Sequence, residues 1–209
     1  MRYILLLLLI GGCADNQEKC PHFERFSSVP DSMFVSKAQN GLGEWMYDLK
    51  NPIWIDGIPC SSDAPPEHQE LTTDSLGNLI RANLLHPIMR NQIPCRDYVF
   101  LYPNGRLQHT TLDKAIKMHG FAIAEGEMVY LHSNGILAST WLGADKTIGH
   151  LQMKKGDQIW LDEKARLISV ASGWDGLIFK GKKYRNQTLT FDTVGNLIDV
   201  ECKVANPSN

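Results

Sequence analysis

The chain has 209 residues, a formal charge of −2 and five cysteines. A charge so close to zero excludes electrostatic capture of nucleic acid or anionic lipid. The cysteines show no CxxC pair and no Cys/His cluster with zinc spacing, and no apolar run approaches the about 20 residues a spanning helix needs.

At the start, Arg2 supplies a positive charge and Ile4–Ile10 is an unbroken apolar run. It has the length of a signal-peptide core. It ends in Leu9-Ile10-Gly11-Gly12-Cys13, which resembles the lipobox of bacterial lipoproteins: an aliphatic residue three before the cysteine, then two small residues. The resemblance implies that residues 1–12 are removed and that Cys13 carries diacylglycerol and an acylated amino terminus. Several acyl chains anchor stably where one binds only marginally. Ala14 in place of Asp resembles the outer-membrane-sorted pattern of enterobacterial lipoproteins. The expected location is therefore the bacterial cell envelope, at the outer membrane. The bland alternative is an ordinary secretory signal with a chance cysteine.

Residues 13–35 are polar with little periodicity and suit a lipid anchor and tether. Residues 36–55 read as an N-terminal cap segment, with a few helical residues near Ser36–Tyr47. Residues 56–204 repeat. Turn glycines recur at Gly77, Gly105, Gly135 and Gly195, with Ala165 standing where the missing one falls. Two positions later come Leu79, Leu107, Leu137, Leu167 and Leu197; four positions earlier come Thr73, Leu101, Leu131, Leu161 and Phe191. Six positions earlier come Leu71, Val99, Val129, Ile159 and Leu189. Period-two alternation puts these columns on one buried strand face. A second turn column runs through Arg96, Gly126, Gly156 and Asn186. Asn-Gly between alternating runs is a strong hairpin signal, best seen in Val99–Leu112 and Val129–Leu142. No stretch sustains helical periodicity.

The expectation is an all-β chain of about five repeats, each about 30 residues, none able to bury its own apolar face. Hairpin turns favour a curved antiparallel meander; a β-solenoid with one repeat per coil is the alternative. The pattern resembles, loosely, the MORN and related glycine-turn β-repeats of bacterial proteins, with a longer period. That likeness implies an architecture rather than a function.

Export implies an oxidising compartment, where four remaining cysteines allow two disulfides in three connectivities. Cys60 and Cys95 end like phrases, Gly-Ile-Pro-Cys and Gln-Ile-Pro-Cys, of successive repeats. They are expected to pair, leaving Cys20 with Cys202; unpaired buried thiols are the alternative. The insertion Ser61–Glu70 reads as a surface loop.

Phe100, Tyr130 and Trp160 recur five positions before their turns, between the core columns, and so face the opposite side. They form a candidate strip for a partner protein or glycan, unless that face is itself covered. Three positions before the turns, His132 and Asp162 could pair or hold a metal, although a solvated strand face is the plainer reading. No catalytic motif is present, and no catalytic, cofactor or metal residue is assigned. "SGWDG" (Ser172–Gly176) reads as a turn and "KGKKYR" (Lys180–Arg185) as a basic surface loop. The function expected is that of a lipid-anchored binding or structural module without catalytic activity, needing no cofactor and touching the membrane through Cys13. An immunity or antitoxin-like inhibitor is the alternative, and an envelope enzyme with an unrecognised site the third reading.

Overall fold

The structure, a computed structural model, describes residues 20–63, 71–173 and 175–202. Long and short hairpins alternate along the chain. First come β1 (His22–Phe23), the long hairpin β2 (Phe34–Gln39)–β3 (Trp45–Leu49) and the short hairpin β4 (Ile53–Ile55)–β5 (Ile58–Cys60). Next come β6 (Leu71–Thr73)–β7 (Leu79–Asn83) and β8 (Ile88–Arg90), which pairs with the start of β9 (Ile93–Leu101). The rest of β9 forms a long hairpin with β10 (Leu107–Leu112), followed by short β11 (Ile116–Met118)–β12 (Phe121–Ile123). Then follow β13 (Met128–Leu131)–β14 (Leu137–Trp141) and β15 (Lys146–Ile148)–β16 (Leu151–Met153). Last come β17 (Gln158–Leu161)–β18 (Leu167–Ala171), β19 (Leu177–Phe179)–β20 (Lys182–Tyr184) and β21 (Gln187–Phe191)–β22 (Leu197–Cys202).

The long hairpins form one open antiparallel sheet, in the order β2-β3-β6-β7-β9-β10-β13-β14-β17-β18-β21-β22. This is the meander, not the solenoid: among the described residues the parallel pairing is confined to β1 with β4. The turns explain the glycine column. Gly105 and Gly135 sit at φ 76° and 88°, where a side chain is disfavoured. Ala165 adopts the same conformation at φ 61° despite its Cβ.

Ser36–Tyr47 is not helical but lies in the β2–β3 hairpin, whose Gly43 turn (φ 80°) repeats the others. The described residues thus carry six long hairpins, and the earliest was hidden because its strand β2 is mostly exposed and lacks the apolar column. In the second turn column the left-handed residue of its first member is Asp97 (φ 65°), not Arg96, because the β9–β10 register slips there through a bulge.

The core lies between the long sheet and the short hairpins. One row across the sheet, Leu71, Ala82, Val99, Thr110, Val129, Thr140, Ile159, Val170 and Leu189, is completely buried. Its two threonines are satisfied: Thr110 Oγ1 donates to the Tyr98 carbonyl at 2.6 Å and Thr140 Oγ1 to that of Met128 at 2.9 Å. The short hairpins turn on two-residue loops such as Asp56-Gly57 and His119-Gly120, with positive φ at both positions, which matches strand twist. At the N-terminal end residues expected to be tether are packed: Phe26 and Phe34 contact Tyr47 with ring centroids 4.6 and 4.8 Å apart.

All four described cysteines are free thiols, so neither expected disulfide forms. Cys60 and Cys95 occupy the position that Ile123, Met153 and Tyr184 fill in later short hairpins. Equivalent places in a two-strand repeat are separated by about 10 Å, too far for a disulfide, which needs Cα atoms within about 7 Å. They act as small apolar core residues. Cys20 lies next to Pro21, which binds β4, whereas Cys202 ends the opposite edge strand of an unclosed sheet. Eleven strand spacings, about 50 Å, span the sheet between its edges.

Candidate functional site

Phe100, Tyr130 and Trp160 share a cross-strand row on the face away from the core. Cross-strand pairing runs Thr72, Arg81, Phe100, His109, Tyr130, Ser139, Trp160, Ser169, Thr190, Asp199. The three candidates are half-buried, with other members between them. His109 is inserted between Phe100 and Tyr130. Its ring is stacked 4.0 Å from Phe100 (interplanar angle 17°) and 5.1 Å from Tyr130 (27°). The Arg81 guanidinium sits 5.2 Å from the Phe100 ring centre, as a cation–π cap. Tyr98 meets Phe100 edge-on at 5.6 Å. Trp160 stands apart, with Ser139 and Ser169 as its cross-strand neighbours.

The Arg81 end of this row opens into a groove of about 570 Å³, lined by Met46, Thr72, Arg81, Phe100, Tyr102 and His109 among others. Burial, reinforced by the Arg81 charge, pushes the His109 imidazole below its ordinary range, favouring the neutral ring. The buried Nε of Arg81 has no hydrogen-bond partner. The groove thus brings together the Arg81 cation, the Phe100 ring and the His109 imidazole. Arg81 and His109 were missed in the sequence. The available signal was the hairpin offset that sets His109 opposite Phe100, hidden by the register shift between Leu107 and His109.

The other candidates have structural roles. Asp162 accepts the Lys164 and Arg166 N–H groups at 2.9 Å each within its own turn, and pairs with the Arg166 side chain. His132 Nε2 lies 2.8 Å from the Leu161 carbonyl. The two therefore serve backbone groups and make no joint site, and among the described residues no three His, Cys, Asp or Glu side chains are placed to hold a metal. In the "SGWDG" segment the Gly173 N–H donates to the buried Asp157 carboxylate at 2.7 Å, and Ser172 Oγ accepts the Gln187 N–H at 3.0 Å. "KGKKYR" forms a short-hairpin turn that buries Tyr184. Cys13 lies outside the described residues. No protein-family model and no curated protein matches the chain.

Proposed function

We propose that the protein is a lipid-anchored component of the bacterial cell envelope, held at the outer membrane by acyl chains on Cys13. Its β-repeat domain is a binding or structural module without catalytic activity. The observation that carries the binding reading is the outer row, where Arg81, Phe100, His109 and Tyr130 form a pre-stacked column bordering a groove. Arginine and aromatic side chains fixed in place anchor partners at low entropic cost. An envelope protein or glycan is the partner class.

The anchor is tested by Cys13→Ala, which should release the protein from membranes; retention after alkaline wash rejects it. The binding face is tested by Trp160→Ser and Phe100→Ser in a pull-down from envelope extracts. Loss of a captured partner with unchanged thermal unfolding supports the reading. Retention of every partner, or unfolding of both variants, rejects the row as a binding strip.

A further inference from the structure

The two ends of the long sheet are finished differently. At the first edge, β2 places Lys37 opposite Tyr47, in the core row. Its Nζ lies 4.4 Å from the Trp45 ring centre and 5.3 Å from that of Tyr47. A charge turned inward on an edge strand discourages further pairing. Phe26 and Phe34 close the core beside it. At the other edge, β22 carries the core columns outward without such a stop. Leu197 stands opposite Phe191 and Val200 opposite Leu189. Val200 is 38% exposed, although Leu189 beside it is fully buried, and Ile198 is 63% exposed. Among the described residues no strand pairs with the outer side of β22. Repeat arrays need both ends covered, and the described residues cover the β2 end.

The face of β22 opposite Val200 is acidic. Asp199 pairs with Thr190 and Glu201 with Thr188 in the outer rows. The Val200 N–H donates to Asp199 Oδ1 at 2.8 Å, so the strand's own carboxylate holds an edge donor.

We propose that the free edge of β22 is a docking edge for an extended segment of another protein in which apolar residues alternate with Lys or Arg. The apolar residues of such a segment cover Val200 and Leu197. Its cations face Asp199 and Glu201, drawing the Asp199 carboxylate away and releasing the Val200 N–H to the new ladder. Strand addition of this kind takes affinity from main-chain hydrogen bonds and specificity from alternate side chains. A second copy of β22 is a poor occupant, because carboxylates would oppose carboxylates across the strand pair. A second copy of β2 would set Lys37 in the core row beside Val200. The docking edge is independent of the groove at Arg81, Phe100 and His109, which lies many strands away.

The test uses the full chain and a fluorescein-labelled peptide of seven alternating lysines and valines, followed by anisotropy. The peptide should bind saturably. Binding should weaken by about tenfold or more, the scale of a lost charge-assisted contact, with a valine–glutamate peptide and with the Asp199→Lys/Glu201→Lys chain. Methylating the peptide's ladder-forming nitrogens should weaken it similarly, and this arm leaves the protein unaltered. The Trp160→Ser chain should bind the peptide as the parent does, separating this proposal from the outer-row reading. No binding at millimolar peptide, equal binding of the N-methylated peptide, or indifference to the charge reversal overturns it. So does a stable dimer in sedimentation that Val200→Lys dissociates, since a second copy would then be the occupant.

Discussion

The Tyr102 hydroxyl donates to the Leu131 carbonyl at 2.7 Å, reaching from one repeat into the next. His132 makes the same reach one repeat later, to Leu161. Both carbonyls adjoin register shifts in their hairpins, where the ladder is locally disrupted and a side chain can take the acceptor. Tyr102→Phe removes the donor alone. It should cost about 1 kcal/mol in urea unfolding; an unchanged midpoint would show that water serves the carbonyl equally well.

Ala165 occupies the left-handed turn position filled by glycine in its neighbours. An L-residue there costs about 1–2 kcal/mol, partly offset by the greater chain entropy glycine loses on folding. Ala165→Gly should therefore stabilise the protein by about 0.5–1 kcal/mol, read as a rise in thermal midpoint. A fall would mean that chain entropy outweighs the strain.

Thr73 sits in the column occupied elsewhere by Leu101, Leu131, Leu161 and Phe191, fully buried, with its hydroxyl unpaired. A buried hydroxyl without a partner costs about 1–3 kcal/mol. Thr73→Val keeps the shape and removes the polar atom, so it should raise stability by about 1 kcal/mol or more. Destabilisation in chemical denaturation would reveal a water or partner for the hydroxyl.

The turn aspartates and the buried one respond oppositely to acid. Hydrogen bonds from the Arg166 backbone and side chain lead the effects that hold Asp162 down to about 2, and bonds from Asn196 lower Asp192. Their depressed values stabilise the fold above the unfolded carboxylate range near about 4, and the gain is lost as pH falls toward about 2. Asp157 is raised by desolvation, so its contribution is greatest when protonated and is lost as pH climbs through its folded value. Melting from about pH 2 to 4 should show a shallower slope in Asp162→Asn than in the parent. Relative to the parent, Asp157→Asn should gain stability as pH rises above about 4. Parallel profiles for all three chains would contradict both assignments.

Burial pushes the Cys60 thiol up to about 12 and raises that of Cys95 as well. The thiolate is the reactive form. A thiol reagent at neutral pH, mapped by mass spectrometry, should modify exposed Cys202 in the folded protein and leave Cys60 and Cys95 intact until unfolding. A Cys60–Cys95 linked peptide from the natively expressed protein would refute the packed-thiol arrangement.

Local chemistry made much of this fold legible. Gly105 and Gly135 follow asparagine between alternating apolar runs, and a turn needing positive φ has few other solutions. Leu107 and Leu137 stand two positions later, and both are buried as the alternation demands. The short hairpins were harder to read. Asn91-Gln92 forms the same kind of turn as Asp56-Gly57 without a glycine, and three-residue strands such as Ile88–Arg90 are too short for alternation to declare a period.

By itself, then, the order of residues determined the all-β class, the turn positions and the core columns, because φ preference and strand alternation act over a few neighbouring residues. It also placed Phe100, Tyr130 and Trp160 on the face away from the core. Tertiary structure alone decided that His109 enters the stack between Phe100 and Tyr130, that Arg81 caps it, and that Cys60 and Cys95 are packed apart. Those relations depend on register between strands. Bulges and pairing across the sheet set that register, and no local stretch of sequence contains both partners.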